Sequence, residues 1–245
     1  MTFRATGKLC WFLLQVAGNC GNYFFTTAFV SAKNKRRARA AWLHRCARRH
    51  LKIFGCRPVV PDAIPARGLL VSNHLSYLDI ILIGSVTPAV FVSKADVRGW
   101  PLFGMLTKMA GTVFIERERR TAVGAVNREI ESALADDLLV VVFPEGTSSD
   151  GETVLPFRSS LLEPARRGGH EISTARLRYE LADGDAKSEV CYWGDHSFFP
   201  HLMNLLDKKS VRATLRFGKF QRTTDDRKEL AAQLHAAVLE LKTKN

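Results

Sequence analysis

The first fifty residues contain no aspartate or glutamate, yet ten basic residues stand among them: Arg4, Lys8, Lys33, Lys35, Arg36, Arg37, Arg39, Arg45, Arg48 and Arg49. The other 195 residues carry 26 basic and 24 acidic side chains, so the formal charge of +12 belongs almost wholly to the amino-terminal segment. A nucleic-acid binder using the whole domain would spread its charge over a groove-sized face, and this distribution argues against one. Paired cysteines are lacking as well. Cys10, Cys20, Cys46, Cys56 and Cys191 are odd in number and show no C-x-x-C spacing, which supports neither a disulfide framework nor a zinc ribbon and suits reduced thiols in a cytosolic compartment. No G-x-S-x-G elbow of a serine hydrolase is present, and no internal repeat or low-complexity linker divides the chain.

Charge is also missing from Leu9 to Ala32, a run that as a helix would measure roughly 36 Å, enough to cross a hydrocarbon core. Gln15, Asn19, Asn22 and Thr26 nevertheless step by four, three and four, which places them on one helical face. Such a polar stripe suits a helix lying in the membrane interface or a spanning helix that packs its polar edge on a partner; a buried core helix is the plainer alternative. A cleaved signal is disfavoured by the eight basic residues between Lys33 and Arg49. Residues 35–54 continue as a basic amphipathic helix with Trp42, Cys46, Ile53 or Phe54 along one side and Leu43, Ala47 and Leu51 beside them. Attached to the most apolar segment of the chain, this charge points to an anionic membrane surface, although an ordinary solvated helix on the body would show the same pattern. Residues 1–54 are therefore expected to form a membrane-associated helical segment.

From residue 55 to 245 short β-rich runs alternate with helical patterns after a turn-rich stretch from Arg57 to Gly68. Strands are expected at Leu69–Ser72, Ala89–Ser93, Thr112–Ile115 and Leu138–Phe143, with helices over Tyr77–Val86, Pro101–Met109 and Thr121–Ala135 between them. Further strands are expected near Ile172–Leu181, Glu189–Trp193 and Val211–Phe220, a short helix at Phe198–Leu206, and a closing helix over Asp225–Lys244. This order is that of an α/β domain built on a largely parallel sheet flanked by helices.

Three blocks carry candidate chemistry. In Asn73-His74-Leu75-Ser76-Tyr77-Leu78-Asp79 a histidine and an aspartate five residues apart straddle a helix start, so that the carboxylate can reach one imidazole nitrogen while the other faces a substrate hydroxyl. The same residues read as S-x-x-D, in which Asp79 merely caps the helix. In Gly111-Thr112-Val113-Phe114-Ile115-Glu116-Arg117 a strand delivers an arginine at its carboxyl end, where it can bind phosphate bidentately or simply be a solvated turn. In Phe143-Pro144-Glu145-Gly146-Thr147 glycine lets backbone approach a ligand, Thr147 offers a hydroxyl, and Glu145 is costly unless it orients a partner; an exposed turn is the bland alternative. No further ligand accompanies His74 in the pattern a catalytic metal needs.

Together and in this order, N-H-x-x-x-x-D, G-x-x-F-I-x-R and F-P-E-G-T resemble the lysophospholipid and glycerol-phosphate acyltransferase family, in its 1-acyl-glycerol-3-phosphate acyltransferase branch, over about residues 70–220. The resemblance implies an α/β acyltransferase domain over 55–245 acting at a membrane, with its catalytic domain on the cytoplasmic face. It implies His74 as general base, Asp79 as its orienting acid, Arg117 as a phosphate-binding residue, and Glu145, Gly146 and Thr147 as an acceptor-positioning turn. Lys94 and Arg158 fall where similar proteins carry basic residues. The reaction implied moves an acyl group from acyl-CoA or acyl-carrier protein, each a donor substrate and not a bound cofactor, to the free hydroxyl of lysophosphatidic acid. Two departures bear on the acceptor: Ser148 stands where the family carries arginine, and Ile172–Leu177 lacks the family's proline. They keep another lysolipid, such as lyso-ornithine lipid, in view as acceptor, and a noncatalytic membrane-binding module is the reading from a different class.

Overall fold

Gly68–Ser72 and Leu139–Val142 are the two longest strands buried at every position, the three-residue Val113–Ile115 being the other. Strands covered on both faces lose the polar alternation of an exposed sheet, and these two lie side by side at the centre. The computed structural model describes residues 2–115, 120–167 and 169–241. In chain order it contains α1 (Phe3–Thr27), α2 (Ala32–Ile53), β1 (Cys56–Val59), β2 (Gly68–Ser72), α3 (Leu78–Val86), β3 (Ala89–Lys94), α4 (Phe103–Ala110), β4 (Val113–Ile115), α5 (Arg120–Ala135), β5 (Leu139–Val142), α6 (Glu163–Arg167), β6 (Ile172–Leu181), α7 (Ala186–Glu189), α8 (Phe198–Asp207), β7 (Val211–Phe220) and α9 (Arg227–Glu240).

The strands form one sheet in the order β1-β7-β6-β2-β5-β3-β4. Every neighbouring pair is parallel except β6 with β7, which run antiparallel over ten residues. The carboxyl ends of β2, β3, β4 and β5 therefore share one edge of the sheet; the first and third sequence blocks follow β2 and β5, and the second contains β4. Alternate side chains feed two cores. Leu70, Phe91, Leu139 and Val141 meet helices α1, α2, α3 and α8 on one face, while Leu69, Val71, Val90, Val140 and Val142 meet α5 and α9 on the other.

The expected α/β order holds, with three corrections. Glu189–Trp193 is not a strand: α7 ends there, and the chain turns so that Tyr192 N donates to Leu75 O at 2.8 Å. The stretch read as turns from Arg57 includes most of β1, which pairs in parallel with β7, more than 150 residues later. The last helix ends at Glu240, and 242–245 lie outside the described residues.

Among the described residues no helix is long and apolar enough to cross a membrane. α1 instead packs on α2 and α8 and brings one residue of its polar stripe, Asn19, into the core, while Gln15 and Thr26 are half-buried and Asn22 is exposed. Asn19 is 2% exposed; its Oδ1 accepts from Arg49 at 3.0 Å and its carbonyl from the Trp42 indole at 3.0 Å. Phe12 and Val16 are buried in the same core as Leu51, Phe54 and the sheet. The outward side is apolar: Phe3, Trp11, Leu14, Phe24, Phe25 and Phe29 are all more than half exposed. Apolar side chains of α1 thus face both the core and the solvent, where a surface helix ordinarily presents polar ones.

Candidate active site

β2 ends at Ser72, and the next residue extends the sheet with its side chain. Asn73 Nδ2 donates to Leu177 O at 3.1 Å and its Oδ1 accepts from Leu177 N at 2.7 Å, so the amide imitates one more rung of the pairing with β6. This clamp fixes the departure of the chain toward His74. The imidazole lies against the Phe143 ring, 4.3 Å between centroids, and donates from Nδ1 to Asp79 Oδ2 at 2.7 Å. With Nδ1 carrying the proton, Nε2 is left as an acceptor.

Asp79 is fully buried and uses both oxygens. Oδ2 accepts from His74 Nδ1, Leu75 N (2.7 Å) and Ser76 N (3.0 Å), and Oδ1 from the Tyr179 hydroxyl (2.7 Å). Four donors satisfy a carboxylate that would otherwise be costly so far from water. The geometry is compatible with both readings of Asp79, because the carboxylate that holds the backbone ahead of α3 is the one that accepts from the imidazole. The reciprocal half of a capping box is absent, since Ser76 Oγ is buried without a hydrogen-bond partner.

The turn after β5 locks onto the same histidine. Glu145 Oε1 accepts from His74 N at 3.1 Å, and Ser149 N donates to His74 O at 2.9 Å. Burial pushes the Glu145 carboxyl up to about 8, against the opposing pull of the His74 and Leu155 backbone N–H groups. Gly146, at φ 77°, takes the left-handed conformation that the turn needs. Glu145 therefore sits behind the histidine, whereas Gly146 and Thr147 face the cavity. Ser148 Oγ donates to the Tyr192 carbonyl, closing the place where the family pattern has arginine.

His74 lines an apolar cavity of about 350 Å³ that runs between α2, α3 and α4 toward Phe12 and Trp42. Lys94, at the end of β3, borders it. Arg158 does not: its side chain is exposed and outside the lining, and only its backbone N–H takes part, donating to Pro144 O at 2.9 Å. Arg117 lies outside the described residues.

A family model described as acyltransferase matches residues 59–177. The lyso-ornithine lipid O-acyltransferase of Brucella abortus is 35% identical over 184 residues, covering 69% of each chain. This chain belongs to the acyltransferase family. The corresponding protein of Rhizobium meliloti is 34% identical over 62% of this acyltransferase and 56% of its own length, so the aligned part is little more than half of that relative. The 1-acyl-sn-glycerol-3-phosphate acyltransferase of Neisseria meningitidis is 36% identical over 51% of the acyltransferase and 49% of the relative. The crystal structure of PlsC, the 1-acyl-sn-glycerophosphate acyltransferase of Thermotoga maritima, superposes with a TM-score of 0.64 over 97% of this chain and 99% of that one, at 19% identity, and shares the fold.

Sequence reasoning missed Tyr179 in the acyltransferase. Its signal was only an aromatic on an alternating strand. Burial raises its phenol well above the usual value, which keeps it a hydrogen-bond donor to Asp79. Phe143, already part of the third block, gains a role as the ring beneath His74.

Proposed function

We propose that the protein transfers a fatty acyl group from an acyl thioester to the free hydroxyl of a lysolipid at a membrane surface. The observation that carries this reading is the 2.7 Å pair of His74 and buried Asp79 beside an apolar cavity. The acceptor hydroxyl attacks the thioester carbonyl while His74 Nε2 takes its proton; the imidazolium, held by Asp79, then protonates the leaving thiolate of acyl-CoA or acyl-carrier protein. General-base help of this kind contributes about 10²–10⁴-fold. The apolar cavity receives an acyl chain, and Gly146, Thr147 and Lys94 face the reacting groups.

Lyso-ornithine lipid is the acceptor we favour. The alignments with lyso-ornithine acyltransferases are longer than those with the Neisseria proteins, and Ser148 is a neutral residue tied to the Tyr192 carbonyl where an arginine would have offered a phosphate contact. Lysophosphatidic acid is the second reading, supported by the G-x-x-F-I-x-R block ending at Arg117. The exposed Phe24 and Phe25 of α1, with Phe29 in the turn after it, support attachment to a membrane through one leaflet. Purified protein offered both lysolipids with labelled acyl-CoA and acyl-carrier protein, with products identified by mass spectrometry, tests the whole reading. Product from lyso-ornithine lipid alone supports it, product from lysophosphatidic acid alone moves the acceptor to the second reading, and no thioester-dependent product from either sinks it.

A further inference from the structure

A second opening of about 880 Å³ lies between the start of α2, the end of α4 and the edge strand β4. It is polar where the first cavity is apolar, and cations dominate its walls: Lys33, Lys35, Arg36, Arg39, Arg98 and Lys108 against Glu129 and Asp136. Asp136 is already paired with Arg36, which also reaches Ser132 Oγ at 3.2 Å. Arg39 donates to the Tyr23 hydroxyl at 3.1 Å, and the Arg98 guanidinium lies over the Phe114 ring at 4.5 Å. Lys33, Lys35 and Lys108 have no ion pair among the described residues. Like charges gathered without partners repel one another, and nothing in the proposed acyl transfer uses them.

The partition from the catalytic cavity is thin. Thr112 lines both openings, and Gly111, at φ 77°, ends α4 where a Cβ would come within 3.3 Å of Arg39 Cδ. None of the exposed phenylalanines lines the cleft, but the apolar ridge connects to its cations at two points. Tyr23, which holds Arg39, leads directly into Phe24 and Phe25, and the turn carrying Phe29 (95% exposed) opens α2 at Lys33. A soluble anion would account for the lysines but not for phenylalanines held in water beside them.

We infer that this cleft binds the phosphate headgroup of an anionic bilayer phospholipid, at a site separate from the one at His74. The inference rests on the reading that the outer side of α1 contacts a membrane. The ridge would enter the acyl region while the three lysines and Arg39 close on the headgroup, giving a saturable site in addition to diffuse attraction.

Two variants of the full chain test it. Lys33→Gln/Lys35→Gln/Lys108→Gln removes the unpaired charge, and Ser132→Trp, at an exposed position on the cleft wall, fills the space without altering charge. The probes are a short-chain phosphatidylglycerol kept below its micelle concentration, followed by calorimetry, and phosphatidylcholine vesicles with and without phosphatidylglycerol. The triple variant should bind the anionic vesicles roughly 100-fold more weakly, the factor expected for three basic residues near such a surface. Its partition to neutral vesicles and its turnover of a water-soluble acceptor should not change. Ser132→Trp should abolish saturable binding of the short-chain lipid.

Retention of that binding by Ser132→Trp would mean diffuse attraction and overturn the site. Equal competition by inorganic phosphate would overturn the lipid as its ligand, and a rise confined to the KM for acyl-CoA would reassign the cleft to the donor. If Phe24→Ser/Phe25→Ser/Phe29→Ser leaves neutral-vesicle partition intact while the cleft variants still lose phosphatidylglycerol, the membrane role of α1 fails and the cleft stands.

Discussion

The surroundings of His74 and the outer side of α1 are built on opposite rules. At His74 the groups that hold the ring and its backbone are paired: the buried Asp79 carboxylate takes four hydrogen bonds, and the histidine's own N–H and C=O are held by Glu145 and Ser149. On α1 apolar groups stand in solvent while the polar Asn19 is buried. The proposed chemistry at a thioester would need groups that do not reorganise during the reaction, and here folding fixes their orientation beforehand. Contact with a bilayer needs the reverse, an apolar surface left unsatisfied until lipid covers it.

The sharpest way to break this division is His74→Ala. Transfer should fall by about 10²–10⁴-fold while vesicle partition stays within error, measured on the same preparation by product formation and sedimentation. Loss of both would show that the two regions are not separable.

Next in size is a contrast within α1. Phe12→Ala, on the inward side, should cost about 3–5 kcal/mol of unfolding free energy in denaturant, because the ring is 2% exposed against Phe54 and Phe103. Phe25→Ser, on the outward side, should change stability by less than about 0.5 kcal/mol yet weaken vesicle binding. Equal destabilisation by the two would mean that the outward side is covered by protein. The same packing implies that deleting residues 1–54 uncovers the core and is not a clean test of attachment.

Tyr179→Phe sharpens the account of the histidine. It removes one donor from a buried carboxylate and should cost about 1.5–3 kcal/mol of stability, with a fall in kcat at unchanged KM for both substrates. A stability loss without a change in kcat would make Tyr179 structural and nothing more.

The smallest effect concerns pH. With its carboxyl raised to about 8 by burial, folded Glu145 binds its proton more tightly than the unfolded chain does. Its contribution is present in full below the ordinary carboxylate range and is lost as pH rises toward 8. His50 and His201, lowered by burial to about 4, act in the opposite sense, but only below about 6.5. Between pH 6.5 and 8.5, therefore, the unfolding midpoint should fall in the native protein and fall less in Glu145→Gln; parallel slopes would remove Glu145 as the cause.

Much of this molecule was legible from local pattern. The buried runs of β2 and β5, the alternation of strands with helices, and the five-residue spacing of His74 and Asp79 all lie within one turn or one strand, where periodicity and short reach are decisive. That spacing could not separate a cap from a dyad, because one carboxylate accepts from both the backbone and the imidazole. Tyr179 was invisible for another reason: it is 100 residues from the oxygen it bonds, and only the pairing of β6 with β2 brings it there.

The sequence by itself determined the α/β order, the three blocks at the ends of parallel strands and the concentration of positive charge in the first fifty residues. Tertiary structure decided which side of α1 faces the core, where β1 finds β7, and that Arg158 stays outside the cavity while Ser148 closes the Tyr192 turn. A polar stripe on a helix states that two sides differ and not which is inward. That choice depends on what the rest of the chain presents, here the Trp42 indole and the Arg49 guanidinium of α2, which give Asn19 the partners that water would otherwise supply.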